Sequence, residues 1–225
     1  MTITTYLPQL LSGCLITLIL MLCSLSIGFI LAAFFTKCSF SRNKVLKKAI
    51  ACIIFFVRGT PLLVQIFIIY YGLAQFEWIK MSPLWFMLRE PMTCAIIAFS
   101  LNTACYTSVL MQGVIQSVPK GEILAADAMG MSKWLTFRRI IFPHAFRLFL
   151  PMYSNEVIII LKGTSLASTI TLLDLMGVTQ QLIAETYDTL QFYVEVGAVY
   201  LILNVVIMSI FNMLMRKQQS RSYML

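Results

Sequence analysis

Long apolar runs alternate along the chain with short polar stretches. Residues 1–36, 91–119 and 196–215 hold no charged residue, residues 49–76 hold only Arg58, and residues 148–173 hold only Glu156 and Lys162. A hydrocarbon core of about 30 Å is crossed by about 20 helical residues. Five runs meet that length, at residues 10–36, 49–76, 92–116, 148–172 and 192–215. The pattern therefore predicts an all-α polytopic membrane protein with five transmembrane helices.

Composition supports this interpretation. The 225 residues are 60% hydrophobic and 12% charged, whereas a soluble domain carries about 25% charged residues. The first run is too long for a cleaved signal peptide and lacks its basic start and small-residue cleavage site. We therefore predict one transmembrane domain over residues 10–216, with an external segment 1–9 and a cytoplasmic tail 217–225.

The basic residues predict the orientation of the chain in the bilayer. The stretches after spans 1, 3 and 5 hold 13 of the 17 lysines and arginines, whereas the other two connections hold only Lys80 and Arg89. Because cytoplasmic loops are enriched in basic residues, the N-terminus is expected outside and the C-terminus in the cytoplasm. This bias also explains most of the net charge of +8, so no nucleic-acid partner is needed.

Little in the sequence indicates catalysis or metal binding. The six cysteines form no CxxC pair, and His144 is the only histidine. Neither HExxH nor GxSxG occurs, and the absence of any Gly-Lys dipeptide excludes a Walker A phosphate loop. We therefore predict no metal, no cofactor bound by this chain and no enzymatic activity of its own.

Two predicted spans carry a basic-Gly-Thr step inside the membrane. Arg58 lies ten residues beyond Lys48, about 15 Å deep on a straight helix, and Gly59 and Pro61 weaken the helix there. The fourth span is entered near Arg147, and Glu156 lies nine residues beyond it, about 14 Å deep. Lys162-Gly163-Thr164-Ser165 interrupts this span at a still deeper position. A charge at the centre of a span costs about 2.5–3.5 kcal/mol, and broken helices at this depth are typical of solute sites in transporters.

Two roles remain open for these groups. Arg58 either brackets a solute path or pairs with Glu156 as a structural brace, and both roles are compatible. For Asn102, Gln112 and Asn155, hydrogen bonding between helices is the simpler expectation. The candidate solute-pathway residues are Arg58, Gly59, Thr60, Pro61, Gln65, Asn102, Asn155, Glu156, Lys162, Thr164 and Ser165.

The polar loop 117–147 is too patterned to be a simple tether. A short helix is expected over residues 121–134, and Pro143 is expected to separate it from the fourth span. This loop resembles the "EAA…G…I-x-LP" motif of permease subunits of ABC importers, with Ala125, Ala126, Gly130, Ile140 and Pro143 at the matching positions. The stretches "RGTPLLVQ", "SLNTACY", "QSVPKG" and "YSNEVIIILKGTSLAS" are also similar to those of polar amino-acid permeases of the histidine and arginine branch.

The resemblance implies a type I ABC importer permease fold. It further implies a heterodimer with a sister permease in a bacterial inner membrane. The other implied partners are a dimeric ATPase that carries ATP and Mg, and an extracytoplasmic solute-binding protein. The loop helix would be the coupling helix on the ATPase. Its expected coupling residues are Gly121, Leu124, Ala125, Ala126, Asp127, Gly130 and Pro143.

Two positions depart from the pattern of the family. Leu124 replaces the glutamate of the loop motif, and Val109 replaces a glutamate that the family commonly places in the third span. The missing carboxylate makes it doubtful that this chain alone forms a site for a basic solute. The predicted function is nevertheless the permease subunit of an ATP-driven importer of polar, cationic amino acids. The alternatives are an ion-coupled secondary amino-acid carrier, an intramembrane enzyme and a structural anchor.

Overall fold

The computed structural model describes residues 6–222, with side chains to residue 218, so part of the predicted external segment 1–9 and part of the tail 217–225 lie outside it. Every regular element in this range is helical. The helices are α1 (Leu7–Ser39), α2 (Lys44–Gly59), α3 (Leu62–Phe67), α4 (Glu77–Lys80), α5 (Trp85–Leu88), α6 (Pro91–Gln116), α7 (Lys120–Ala128), α8 (Lys133–Thr136), α9 (Phe142–Gly163), α10 (Leu175–Thr186) and α11 (Thr189–Ser222).

Helix α6 lies at the centre of the bundle. Its most apolar stretch is 61% buried, against 33% for α1 and 6% for α11. The main core joins α1, α6 and α9 through the fully buried side chains of Leu20, Phe99 and Leu161. Gly28 lets α1 approach α6 closely, because a Cβ there would lie 3.0 Å from the carbonyl oxygen of Ser100.

Three helices, α1, α6 and α11, are long and apolar enough to cross a membrane. Two further bent pairs raise the number of candidate spans to five: α2 with residues 62–75, bent by 108°, and residues 133–170 with α10, bent by 50°. The all-helical polytopic architecture is therefore as predicted. The second span is not one straight helix over 49–76, because α2 ends at Gly59 and the chain turns there.

The segment after α3 departs from α-helical geometry before it leaves the bundle. A π turn covers Ile68–Gly72 and a 3-10 turn covers Leu73–Gln75. Such irregular turns often mark places where a helix meets a functional or packing constraint. They lead into the short helices α4 and α5.

The predicted helix over 121–134 is wrong as a single element. Helix α7 ends at Ala128, and Gly130 follows with a φ of 72°. The amide of Met131 donates to the Ala126 carbonyl and that of Gly130 donates to the Asp127 carbonyl, both at 3.0 Å. This is the Schellman arrangement, which requires a left-handed residue.

The expectation that Pro143 separates the loop from the fourth span is also wrong. A π turn over Phe137–Ile141 joins α8 to α9 without a break, and Pro143 lies in the first turn of α9. The helical run therefore begins at Lys133, well before the predicted start at residue 148.

The end of the fourth span also differs from the prediction. Helix α9 gives way at Gly163 to a 3-10 helix, Thr164–Ile170, and Thr171 adopts a φ of 64°. Asp174 then caps the unpredicted helix α10 by accepting a hydrogen bond from the Gly177 amide at 3.0 Å. The Thr17 hydroxyl of α1 accepts from the Leu175 amide at 3.0 Å, which ties α10 to the bundle.

Candidate solute-translocation site

The two predicted helix breaks lie against each other. A Cβ added at Gly163 would lie 3.6 Å from Leu62 Cδ2, the first residue of α3, and 3.3 Å from Phe99 Cε1. Farther along, the Tyr71 hydroxyl donates a hydrogen bond to the Thr169 carbonyl at 3.3 Å. The interrupted part of the second span therefore packs on the interrupted part of the fourth.

Gln65 caps the first break. Its Nε2 lies 2.7 Å from the Val57 carbonyl oxygen and 3.0 Å from that of Thr60, and its Oε1 accepts from Asn102 Nδ2 at 3.1 Å. The Thr60 hydroxyl donates to the Phe56 carbonyl at 2.9 Å. A helix end leaves its last carbonyls without intrahelical partners, so these side chains supply the partners that lipid cannot.

Arg58 makes its contacts with α6. Its guanidinium lies 5.0 Å from the centroid of the Tyr106 ring, and the Tyr106 hydroxyl donates to the Arg58 carbonyl at 3.4 Å. Over residues 6–222 there is no ion pair between Arg58 and Glu156, so the direct brace that the sequence left open is not formed in this structure. Tyr106 was missed as a partner, although its position four residues after Asn102 places both on one face of α6.

Glu156 is the buried carboxylate of the site. It is 5% exposed and hydrogen-bonds with the Thr103 side chain, whose hydroxyl lies 3.5 Å from that of Thr107. No lysine or arginine in the described chain forms an ion pair with it, although Arg58 lies close enough to act on it electrostatically. A buried charge without a direct ion-pair partner is costly, so this carboxylate is suited to receive a positive group.

The remaining polar groups divide between surface and interior. Arg58, Thr60, Asn155 and Lys162 are exposed. Thr164 is fully buried, and its hydroxyl donates to the Leu161 carbonyl at 2.6 Å. Thr164 therefore holds the second break together, whereas the exposed groups form a polar face.

A cavity of about 460 Å³ extends from Arg58 along α2 toward Lys47. Gln112 and Val109 of α6 line its other wall. The Gln112 Nε2 is buried and has no hydrogen-bond partner within residues 6–222. Two cations and a free amide donor, with no carboxylate in the lining, favour an anionic group such as the carboxylate of a solute.

The loop helix α7 presents a largely exposed surface. Ala126 is fully buried, whereas Leu124 is 66% and Met129 is 72% exposed. Gly121, Ala125 and Asp127 are also exposed. An exposed apolar patch on a loop helix is typical of a surface that binds another protein.

Comparison with known proteins bears directly on this arrangement. The family described as "Binding-protein-dependent transport system inner membrane component" matches residues 24–220. The nopaline transport system permease of Agrobacterium fabrum is 46% identical over 201 residues, covering 89% of this chain and 83% of the relative. The arginine ABC transporter permease of Haemophilus influenzae is 41% identical, covering 96% and 93%.

Solved structures agree. A crystal structure of an amino acid ABC transporter with histidines superposes with a TM-score of 0.86 at 28% identity, covering 96% of this chain and 100% of that one. The MetNI methionine ABC transporter, at 15% identity, shares the fold with a TM-score of 0.73. In transporters of this kind the permease is not an enzyme, and a separate subunit hydrolyses ATP. The chain therefore belongs to the family of binding-protein-dependent transport system inner membrane components, the permease subunits of ABC importers.

Proposed function

We propose that this permease subunit carries cationic amino acids of the arginine, histidine and lysine class across the bacterial inner membrane. The observation that carries the proposal is the polar face at the adjoining helix breaks, where exposed Arg58 lies in the last turn of α2 and exposed Lys162 in the last turn of α9, the helix that also carries the buried Glu156. A basic amino acid has a carboxylate for the first two groups and a cationic side chain for the third. The relatives named for arginine and nopaline transport support this solute class.

Each group has a distinct part in the proposal. Arg58 and Lys162 attract the solute carboxylate, and Gln112 offers an unused amide donor farther along the cavity. Glu156 attracts the cationic end of the solute, with Thr103 holding its carboxylate in place. Gln65, Thr60, Asn102 and Thr164 keep the backbone broken at this depth, and they shape the path without needing to bind the solute.

The site requires a second permease. The polar face of one chain cannot lie against lipid, and α11 buries little of its surface within the chain. Because Val109 stands where the family commonly has an intramembrane glutamate, we propose a heterodimer in which a sister permease supplies that carboxylate. The N-terminus lies outside the membrane, on the side where the solute-binding protein docks. The C-terminus and α7 lie in the cytoplasm, where the ATPase docks on α7.

Transport by the reconstituted complex tests the proposed path. The complex of both permeases, the ATPase and the binding protein is placed in liposomes, and ATP-driven uptake of labelled arginine is measured. Arg58→Ala and Lys162→Ala are expected to lower uptake at least tenfold, about 1.4 kcal/mol or more per charge, while the complex still assembles. Arg89→Ala is the matched control, because Arg89 pairs with Glu90 at 3.5 Å outside the path.

Uptake that is unchanged in both variants would refute the proposed path. The same liposomes separate ATP-driven import from an ion-coupled carrier, which receives no support from the relatives. Import that persists when ionophores collapse the ion gradients, and that stops without ATP, is the expected result.

A further inference from the structure

A second cavity, of about 620 Å³, opens beside the last turns of α1 and α6 and the helical run that follows the coupling loop. It shares no lining residue with the cavity at Arg58. Aromatic side chains dominate its walls and come from both sides of the opening. The phenylalanines that line it are Phe29, Phe40, Phe137, Phe142, Phe146 and Phe149.

Polar groups at this cavity are few and are confined to its rim. The Thr36 hydroxyl already donates to the Ala32 carbonyl at 2.8 Å. Lys37, in the last turn of α1, is the one charged lining residue, and it pairs with no carboxylate within residues 6–222. Arg138 and Arg139 are exposed in the same π turn as the lining residue Phe137. The cavity therefore cannot satisfy a polar amino acid, but it has a cationic edge.

The dimensions and the exposure of the walls fit a lipid tail. From Lys37 to Phe29 the cavity follows eight residues of α1, about 12 Å, which is most of one leaflet of about 15 Å. Phe142 is 53% and Phe40 is 49% exposed, so the opening faces the surroundings of the chain. For a membrane-spanning protein the surroundings at this depth are hydrocarbon.

We propose that this cavity binds one acyl chain of an anionic phospholipid of the cytoplasmic leaflet, with Lys37 at the lipid phosphate. Basic residues beside apolar clefts on the cytoplasmic side attract anionic headgroups. The proposal rests on the orientation proposed above. A bound chain would contact both α1 and the segment Phe137–Phe146, and so would stabilise the helical run that begins where the coupling loop ends.

Photo-crosslinking in the assembled complex tests the proposal. Nanodiscs contain phosphatidylglycerol with a diazirine in one acyl chain or phosphatidylcholine with the same chain, and labelled peptides are mapped by mass spectrometry. We expect phosphatidylglycerol to label the peptides over residues 29–40 and 137–149 about fivefold more than phosphatidylcholine. This ratio corresponds to about 1 kcal/mol for one basic side chain near an anionic surface.

Two variants separate the tail from the headgroup. Lys37→Gln should remove the preference for phosphatidylglycerol, whereas Lys44→Gln, an exposed lysine outside the cavity, should keep it. Ala33→Phe places a ring in the cavity from the exposed side of α1 and should lower labelling by both lipids. Ile30→Phe is its control, because Ile30 is 70% exposed and does not line the cavity.

Three results would overturn the proposal. The first is equal labelling by both lipids with no effect of Lys37→Gln, and the second is labelling that survives Ala33→Phe. The third is an unlabelled cavity whose walls crosslink to another subunit instead. Labelling does not depend on transport, so a failed path proposal leaves this test intact. The orientation is tested separately, by the accessibility of a cysteine introduced at Ser220 in a cysteine-free chain to an impermeant reagent.

Discussion

The cap on the first helix break provides a direct test of how the site is held open. Gln65→Leu keeps the approximate size of the side chain and removes its amide. The change leaves the Val57 carbonyl without its 2.7 Å donor and Asn102 without its 3.1 Å acceptor. Asn102 is only 8% exposed, so water does not readily replace the lost partner.

The expected loss can be worked from these contacts. Leaving a buried donor or acceptor unsatisfied costs about 1–3 kcal/mol. The contact with the Thr60 carbonyl is exposed and adds little. The Val57 carbonyl and the Asn102 amide each lose a partner, and each loss should cost an amount near the lower end of that range. Together they predict a loss of about 2–3 kcal/mol in the free energy of unfolding. Transport should fall with it, because the broken backbone of the site depends on this cap.

The thermal unfolding midpoint of the purified complex and a double-mutant cycle measure the effect. Gln65→Leu and Asn102→Leu should each destabilise, and the double variant should lose less than the sum, because the two side chains bond each other. Gln191→Leu is the matched control: its amide bonds Glu195 at 2.8 Å on exposed α11, a pair worth about 0.2–0.5 kcal/mol. A Gln65→Leu variant as stable as this control, or strict additivity, would refute the reasoning. A raised KM with unchanged stability would instead identify Gln65 as a solute ligand.

Other predictions concern backbone contacts elsewhere. Gly28→Ala should cost about 1–3 kcal/mol in the stability of the complex, because the new methyl group meets α6; Gly113→Ala, with open space around it, should be neutral or stabilising. Gly130→Arg should lower transport while the subunit still inserts and ATP is still hydrolysed, because a φ of 72° disfavours any side chain; coupled transport at the normal ratio would contradict it. Thr17→Val should destabilise by about 1–3 kcal/mol, seen as a lower unfolding midpoint, because the Leu175 amide loses its acceptor.

The break in the second span could be predicted because its causes are local. Glycine and proline act on the backbone wherever the chain places them, and the helix does end at Gly59 with Pro61 in an extended conformation. Gly130 is similar: the family motif identified it, but its physical role in ending α7 emerges only from its positive φ.

The partners across helices could not be predicted. Arg58 and Glu156 carry opposite charges at similar depth, so a brace between them was one of the two roles that the sequence left open. Tyr106 instead contacts Arg58, and Thr103 hydrogen-bonds with Glu156. Sequence gives depth along a helix, but not the rotation of one helix about its axis relative to another. That rotation decides which of two plausible partners lies within reach.

Continuity of helices was misjudged for a related reason. Pro143 is a local signal for a helix end, but the preceding π turn and the packing of α9 on α6 override it. Helix α10 was missed because its moderately polar sequence has no long apolar run. Its start depends on Asp174, which is fully buried. It also depends on the hydrogen bond that the Leu175 amide donates to the Thr17 hydroxyl of α1, a residue 158 positions earlier in the sequence.

The polar face at the breaks also constrains the assembly. A cation at mid-membrane costs about 2.5–3.5 kcal/mol when it faces lipid, so Arg58 and Lys162 together would cost about 5–7 kcal/mol, comparable with the whole stability of many domains. The ring of Tyr106 offsets part of this for Arg58, but Lys162 has no carboxylate partner in the described chain. A single chain surrounded by lipid is thus energetically unfavourable. In the proposed heterodimer both cations would lie at a shared, hydrated interface, where the same charges that destabilise the monomer would be available to the solute.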